Sequence, residues 1–262
     1  MRVTILGSGS SGGVPVVGIG WGRCDPGEPK NRRRRPSILI EAQGKVLLVD
    51  TSPDLREQLL DAEVTHLDAV IYTHGHDADH LHGIDDLRGI NRAMEAPLEM
   101  YADAATEEII RTRYTYILEP LRPEANGYYY KPTLNAHAIV AGEPFAAAGV
   151  RFQTVDQDHG YSRTVGLRCG AFGYSTDLMD MDDDGFEAMC GVHTWLVGVF
   201  TDKPHATHLD VDKAVAWVAR VRPERAVFTH LGPDLDFATL RRTLPAGIDV
   251  AYDGMILEIP ED

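Results

Sequence analysis

The sequence predicts an α/β protein, an αββα sandwich in which two mixed β-sheets pack face to face with helices on both outer sides. Apolar strands and amphipathic helices recur along the chain in two comparable halves, without a short internal repeat. The 262 residues are 44% apolar and 25% charged, ordinary values for a globular protein with one sizeable core. We therefore expect a single domain over residues 1–262.

The chain opens with a strand over residues 2–6 and a glycine-rich loop, GSGSSGGVP, over residues 7–15. Backbone amides in such a loop can converge on an anion, which makes Ser10 and Ser11 candidate phosphate contacts. A tight turn beneath the site is the alternative. The loop is not a P-loop, because no Gly-Lys-Ser/Thr ends it.

The basic run KNRRRRP, residues 30–36, leads into a hairpin over residues 37–50. The run is either a solvated arm or a row whose alternate arginines face inward and pair with carboxylates or a phosphate. At the end of the hairpin, Asp50 could orient a ligand histidine or cap a turn. Ser52 is the expected N-cap of the next helix, with Pro53 at its first position.

Residues 69–83, AVIYTHGHDADHLHG, carry the densest group of potential metal ligands. A buried strand over residues 69–72 stops at Thr73, and strand ends are where α/β layers expose their chemistry. Imidazole nitrogen and carboxylate oxygen together suit Zn²⁺, Mn²⁺ or Fe²⁺. We therefore predict a metal site here, followed by a helix over residues 80–92. The candidate ligands within nine positions are His74, His76, Asp79, His80 and His82.

The remainder of the first half contains a strand over residues 98–102 and a helix over residues 104–111 capped by Asp103. Residues 112–134 hold five tyrosines without a clear period. They are read as a lid or edge insertion, whose tyrosines either stack on a substrate or pack a small satellite core.

In the second half, strands again end in polar residues. His159 follows a strand over residues 150–155, and Asp177 ends the second of the paired strands at 164–168 and 172–177. From the residues alone, each is interpreted as a turn residue. His230 ends a strand over residues 225–230.

A strand over residues 194–200 precedes a loop that contains His205 and His208. An amphipathic helix follows, capped by Asp210. Packing within the loop is one role open to both histidines. Residues 248–259 supply the closing strands.

These motifs resemble those of metallo-β-lactamase-fold hydrolases, whose signature His-x-His-x-Asp-His follows a strand. The resemblance spans nearly the whole chain, with motifs at 74–80, 159, 177 and 230 in the expected order. It implies a first metal held by two leading histidines and His159, and a second held by the Asp-His pair and His230, with Asp177 bridging both. The implied metal ligands are His74, His76, Asp79, His80, His159, Asp177 and His230.

The chain departs from that signature at one position. The segment His74-Gly-His-Asp-Ala-Asp-His80 has one residue more than the signature allows. Either Asp77 is accommodated as a bulge ahead of the next helix, which is the interpretation adopted here, or the second metal is displaced.

Within the superfamily, the sequence is most similar to the phosphodiesterases that open phosphoribosyl 1,2-cyclic phosphate. The shared features are the Gly-Ser-rich start, the Arg-Arg-Pro-Ser segment and the position of His208. The similarity implies two divalent ions, Zn or Mn, and a metal-bound hydroxide that attacks a small phosphate ester. Asp79 would hold metal and steer the hydroxide, and His208 would protonate the leaving oxygen. The implied substrate contacts are Ser10, Ser11, His205 and His208.

Charge and composition bound the partners. A net charge of −15 disfavours a long nucleic acid, and with it transfer-RNA processing, because such binding depends on cationic contacts with phosphates. No long apolar run or signal-peptide pattern occurs, so we expect a cytoplasmic protein without a membrane partner. The three scattered cysteines predict neither a disulfide framework nor a zinc knuckle. A homodimer is compatible with the sequence. The rival functions are hydrolysis of a thioester or lactam, and non-catalytic ligand binding.

Overall fold

Two seven-stranded mixed sheets pack face to face in residues 1–260, the part of the chain that the computed structural model describes. The predicted αββα sandwich is confirmed. The N-terminal sheet has the order β14-β1-β2-β3-β4-β5-β6, and its strands are β1 (Arg2–Gly7), β2 (Ser37–Ala42), β3 (Lys45–Val49), β4 (Ala69–Ile71), β5 (Leu98–Ala102), β6 (Leu134–Ala138) and β14 (Met255–Glu258). The C-terminal sheet has the order β13-β12-β11-β10-β9-β8-β7, and its strands are β7 (Pro144–Ala147), β8 (Val150–Asp158), β9 (Arg163–Cys169), β10 (Phe172–Ser175), β11 (Thr194–Gly198), β12 (Arg225–Thr229) and β13 (Ile248–Val250).

Helices cover the outer faces of both sheets. They are α1 (Leu55–Asp61), α2 (Ala78–Leu81), α3 (Leu87–Met94), α4 (Ala104–Arg113), α5 (Thr115–Leu118), α6 (Asp183–Met189), α7 (Val211–Val221) and α8 (Phe237–Thr243), with short 3-10 turns at Pro29–Asn31, Ile84–Asp86 and Pro123–Ala125. The predicted N-caps of α4 and α7 are confirmed. Asp103 accepts from the amide of Thr106, and Asp210 accepts from the amide of Lys213. No helix within residues 1–260 is long and apolar enough to cross a bilayer.

The buried apolar side chains form three clusters. The central cluster lies between the sheets and joins residues such as Ile40 and Leu47 to Phe172 and Leu196. The other two lie between each sheet and its helices. This layering holds both sheets rigidly, and strand ends from both meet at one edge.

The first helix begins later than predicted. Ser52 is not an N-cap, because α1 begins at Leu55 with Asp54 at the cap position. The Ser52 hydroxyl instead accepts from the amide of Asp54 at 3.1 Å and donates to Gln58 Oε1 at 2.8 Å. The segment Ser52-Pro53-Asp54 thus forms a turn before the helix.

The predicted helix over residues 80–92 is also wrong, since it is broken into α2, a 3-10 turn and α3. The carbonyl of His80, which a continuous helix would use, accepts from the amide of Thr51 at 2.8 Å. The amide of Gly83 in turn donates to the carbonyl of Thr51 at 2.9 Å. A Cβ at Gly83 would lie 2.0 Å from the carbonyl oxygen of Ser52, so only glycine allows this approach.

The tyrosine-rich segment packs in part onto the cluster between the N-terminal sheet and its helices, so it forms no separate satellite core among the described residues. Ile117 and Tyr129 are buried, and Tyr116 donates its hydroxyl to Asp85. The guanidinium of Arg92 lies 4.7 Å from the ring centre of Tyr128. These contacts favour packing over substrate stacking for residues 112–134.

The basic run pairs with carboxylates of the protein. Arg33 is buried, Arg34 lies 2.7 Å from Asp61 Oδ2, and Arg35 binds both oxygens of Asp54 at 2.5 and 2.9 Å. The inward-facing alternative is therefore the one the structure supports. These guanidinium groups hold neighbouring loops in place, and because they are already paired they are not free to bind a phosphate.

Candidate metal centre

Polar residues at the ends of five strands converge at one edge of the sandwich. Asp50 follows β3, His74 follows β4, His159 follows β8, Asp177 follows β10 and His230 follows β12. Three of them, Asp50, Asp177 and His230, have positive φ angles of 63°, 48° and 57°. This left-handed conformation ends each strand abruptly, and such strain is typical of functional sites.

One buried group, here called the second cluster, consists of Asp79, His80, Asp177 and His230. One donor atom from each lies within 4.8 Å of the others. Asp177 Oδ2 is 2.6 Å from His80 Nε2, and Asp177 Oδ1 is 3.1 Å from His230 Nε2. Asp79 Oδ2 lies 3.3 Å from His80 Nε2. The extra residue of the motif therefore does not displace Asp79 or His80 from this group.

An adjacent group, here called the first cluster, consists of His74, Asp77 and His159. Asp77 Oδ2 is 3.4 Å from His74 Nε2 and 3.2 Å from His159 Nε2. His76 lies beside this group, with its ring centre 4.8 Å from that of His74 and 6.2 Å from that of His159. Asp77 is not among the ligands predicted from the sequence, but in the structure its carboxylate faces into the site.

Hydrogen bonds at Nδ1 fix three of the imidazole rings. In each pair Nδ1–H is the donor, because Asp50 and the carbonyl can only accept and the Thr73 hydroxyl already donates to Asp50 Oδ2. The pairs are His74 with Thr73 Oγ1 at 3.0 Å, His80 with Asp50 Oδ2 at 2.6 Å, and His159 with the carbonyl of Thr207 at 2.8 Å. Each Nε2 is thereby directed into the centre, which is how metal-ligating histidines are oriented.

The remaining imidazole nitrogens provide the test of fit for a metal. Among the described residues, Nε2 of His74, His76, His80 and His230 is buried and lacks an aligned hydrogen-bond partner. Buried polar atoms without partners are rare and need an explanation. A divalent cation bound by the nitrogens of His74, His80 and His230 and by the carboxylates supplies one for these three atoms, so the donor set fits the metal ions that the fold implies.

The carboxylates and imidazoles of the second cluster shift one another's pKa values. Burial alone would raise the pKa of Asp177, but His230 and His80 hold it well below its usual range. Burial works to lower the pKa of His80, yet Asp177, Asp79 and Asp50 raise it well above 6.5. Burial lowers the pKa of His230 to about 4. In the metal-free protein a proton on His80 therefore balances part of the carboxylate charge.

The four predicted substrate contacts differ in their burial and in their distance from the metal centre. His208 Nε2 donates to Asp177 Oδ1 at 2.9 Å, and the side chain is 18% exposed at the mouth of the site. His205 is exposed beside it, with the two Nδ1 atoms 3.4 Å apart. Ser10 is buried and its amide meets the carbonyl of Leu231, while Ser11 is exposed on the adjoining turn. Contact of Ser10, Ser11 and His205 with substrate stays a prediction.

The structure places two residues of this region differently from what the sequence predicts. His82 is exposed and its ring contacts Tyr114, so it belongs to neither cluster. Tyr161, which is not among the predicted site residues, donates its hydroxyl to Asp77 Oδ1 at 3.1 Å. Its position two residues after His159 in the β8–β9 turn carries no sequence signal.

Buried imidazole and carboxylate clusters at the open edge of an αββα sandwich define a metal-dependent hydrolase fold. The comparison with protein families agrees, since the β-lactamase superfamily domain matches residues 45–231. The chain belongs to the metallo-β-lactamase superfamily, and the resemblance seen in the sequence is confirmed.

Individual relatives carry different names. The chain is 32% identical over 267 residues to an octanoyltransferase of Porphyromonas gingivalis, covering 100% of this chain but 52% of that protein, about half of its length. It is 37% identical over 311 residues to coenzyme PQQ synthesis protein B of Methylobacterium radiotolerans, covering 99% and 100% of the two chains. The crystal structure of a diphosphatase from the PhnP family superposes with a TM-score of 0.86 at 34% identity, covering 98% and 97%.

Proposed function

We propose that the chain is a phosphodiesterase that uses two divalent ions, zinc or manganese, to hydrolyse a small cyclic or nucleotide-like phosphate ester. The observation that carries this proposal is the sharing of Asp177 between the two clusters. Its Oδ2 faces His80 and its Oδ1 faces His230 and His208, and donor atoms of Asp177, His208 and the first-cluster residue His159 lie within 4.8 Å of one another. A carboxylate presented in two directions is suited to bridge two cations.

The comparison with the PhnP-family diphosphatase supports chemistry at phosphorus, because that relative is similar over nearly the full length of both chains. The octanoyltransferase is matched over only 52% of its length, so its name is a weaker guide to this chain. A small substrate is consistent with a net charge of −15, which opposes a long polyanion.

Each ligand has a defined support in the structure. Asp79, His80, Asp177 and His230 would hold one cation, and His74 and His159 would contribute to the other. Divalent ions bound there supply Lewis-acid activation and lower the pKa of a water to near 7. Asp79, buried beside His80, is positioned to orient the attacking group as well as to bind metal.

His208 is assigned the proton transfer to the leaving oxygen. Its Nδ1 accepts from the hydroxyl of Thr207 at 2.7 Å, so Nε2 carries the proton and points toward Asp177. The partial exposure of the ring places this N–H between the buried clusters and the mouth. General acid catalysis of this kind contributes about 10²- to 10⁴-fold to rate.

The test is a substrate screen with the zinc- and manganese-loaded protein. The substrates are bis(p-nitrophenyl) phosphate, cyclic ribose phosphates, a chromogenic lactam and acyl thioesters. We expect turnover of the phosphodiesters, with His208→Asn lowering kcat by about 10²- to 10⁴-fold at unchanged metal content. His82→Gln is the matched control, since His82 lies outside both clusters. Turnover of the lactam or thioester alone would assign the centre to C=O hydrolysis instead, and normal metal content with no turnover would indicate a binding protein.

A further inference from the structure

We propose that Asp77, brought into the site by the extra residue of the motif, replaces His76 as the third protein ligand of the first metal. This assignment rests on the metal centre of the proposed function. It predicts a first site built from two imidazoles and one carboxylate, where the family signature supplies three imidazoles.

The distances carry the assignment. Asp77 Oδ2 faces the Nε2 atoms of both histidines and lies 3.4 Å from that of His74 and 3.2 Å from that of His159. These three residues share a set of donor atoms within 4.8 Å, and among the described residues His76 belongs to no such set. The ring of His76 is also farther from His159 than from His74.

The backbone explains why the extra residue appears at this point. On the C-terminal side of the extra residue, α2 is held in position because the carbonyl of His80 accepts a hydrogen bond from the amide of Thr51. The other end is fixed at Gly75, where a Cβ would lie 2.9 Å from Thr106 Cγ2. The added length must therefore be absorbed between these points. Asp77 takes an extended conformation (φ −97°, ψ 138°) immediately before α2, which turns its side chain toward the histidines.

Tyr161 orients the carboxylate for this role. Its hydroxyl is 3.1 Å from Asp77 Oδ1 and 3.3 Å from Oδ2, so the shorter hydrogen bond is made to the oxygen that does not face the histidines. This leaves Oδ2 directed at His74 and His159. Hydrogen bonds from such outer partners commonly fix the orientation of ligating carboxylates. The tyrosine is 69% exposed, so it is held by this contact and not by burial.

The exchange of imidazole for carboxylate changes the chemistry of the first site. A carboxylate adds a negative charge and a hard oxygen donor, which favours manganese or iron relative to the preference of three imidazoles. Asp77→His should therefore raise the ratio of zinc to manganese affinity at the first site.

The deciding experiment measures metal binding without substrate. Asp77→Asn, His76→Asn and the control Asp183→Asn, an exposed residue in the first turn of α6, are titrated with Zn²⁺ and Mn²⁺ against a chromophoric chelator. Circular dichroism verifies the fold of each variant. We expect Asp77→Asn to weaken binding at the first site by more than about 100-fold, beyond the range of outer-partner changes, and His76→Asn to weaken it less.

Proton NMR of the cobalt-substituted protein identifies the ligands directly, since each coordinated imidazole gives a shifted, exchangeable ring N–H signal. His76→Asn should leave every shifted signal in place. The assignment is overturned if Asp77→Asn binds within about 10-fold of the unmodified protein, or if His76→Asn removes a shifted signal. Unmodified protein that binds two metals but hydrolyses no phosphodiester would refute the proposed function and leave the ligand assignment standing. Protein that binds no metal would refute both.

Discussion

Replacing Asp50 with asparagine tests how the second cluster is oriented. The Asp50 carboxylate is fully buried and accepts from the Thr73 amide at 2.8 Å, the Thr73 hydroxyl at 2.8 Å and His80 Nδ1 at 2.6 Å. Asparagine has nearly the same shape and tolerates the φ of 63° at this position, so the substitution changes chemistry rather than backbone.

The amide cannot satisfy all three donors. Its oxygen can still accept from the Thr73 amide, but its NH₂ group then faces His80 Nδ1. His80 either loses this bond or moves its proton to Nε2, where the proton blocks the metal. The substitution also lowers the pKa of His80, but Asp177 and Asp79 act on that pKa more strongly than Asp50 does. Loss of orientation therefore dominates.

The expected cost is about 10- to 100-fold in affinity at the second site, which corresponds to about 1.4 to 2.7 kcal/mol. The metal-free protein should lose a further about 1–3 kcal/mol of unfolding free energy, because a buried donor is left unpaired. A chelator-competition titration measures the affinity, and urea unfolding of the metal-free protein measures the stability.

Asp253→Asn is the matched control. This partly buried carboxylate accepts four hydrogen bonds, from the Ser8 amide and hydroxyl and from the amide and Nε of Arg34, but it belongs to neither cluster. It should cost stability without changing metal affinity. If Asp50→Asn keeps the affinity of the unmodified protein, or if both variants lose it equally, the orienting role of Asp50 is refuted.

Two further predictions concern pH and helix capping. Protons and metal compete for Nε2 of His80, whose pKa is raised well above 6.5. Metal content should therefore fall as the pH drops through a range that begins above 6.5, and activity should be lost below about pH 6. Metal analysis after dialysis across this range checks the prediction, and constant metal occupancy down to about pH 5 would contradict it. Asp236→Ala should cost about 1 kcal/mol in urea unfolding, because Asp236 accepts from the Thr239 amide at 2.8 Å at the start of α8. Burial works to raise the pKa of Asp236, but hydrogen bonds from Asn31 and Thr239 lower it to about 2, so this stabilisation is present above about pH 3.8 and is lost as pH falls through about 2. An equal cost of the substitution at about pH 1.5 and pH 7 would contradict the capping argument.

The sequence was most informative where local chemistry decides the structure. The caps Asp103 and Asp210 and the dense motif at 74–80 could be read directly, because their spacing carries the signal. His159 and Asp177 are single polar residues after strands, and only the family resemblance distinguished them from turn residues. Their convergence depends on the packing of two sheets.

The errors have a common physical origin in contacts between distant segments. The break after Leu81 depends on hydrogen bonds between Thr51 and residues 80 and 83, which no helical periodicity can show. The roles of Asp77 and Tyr161 depend in the same way on a contact between two loops far apart in the chain. Local patterns predict elements well and predict such contacts poorly.

The division of the donor atoms between the two halves of the chain has a mechanical consequence. His74, Asp77, Asp79 and His80 follow a strand of the N-terminal sheet, whereas His159, Asp177 and His230 follow strands of the C-terminal sheet. Cations bound by residues of both sheets would cross-link the two layers of the sandwich along one edge. With free metal about 1,000-fold above its dissociation constant, each site would add about 4 kcal/mol against separation of the layers. Chelation of the ions would then remove the cross-link between the two sheets as well as the reactive centre.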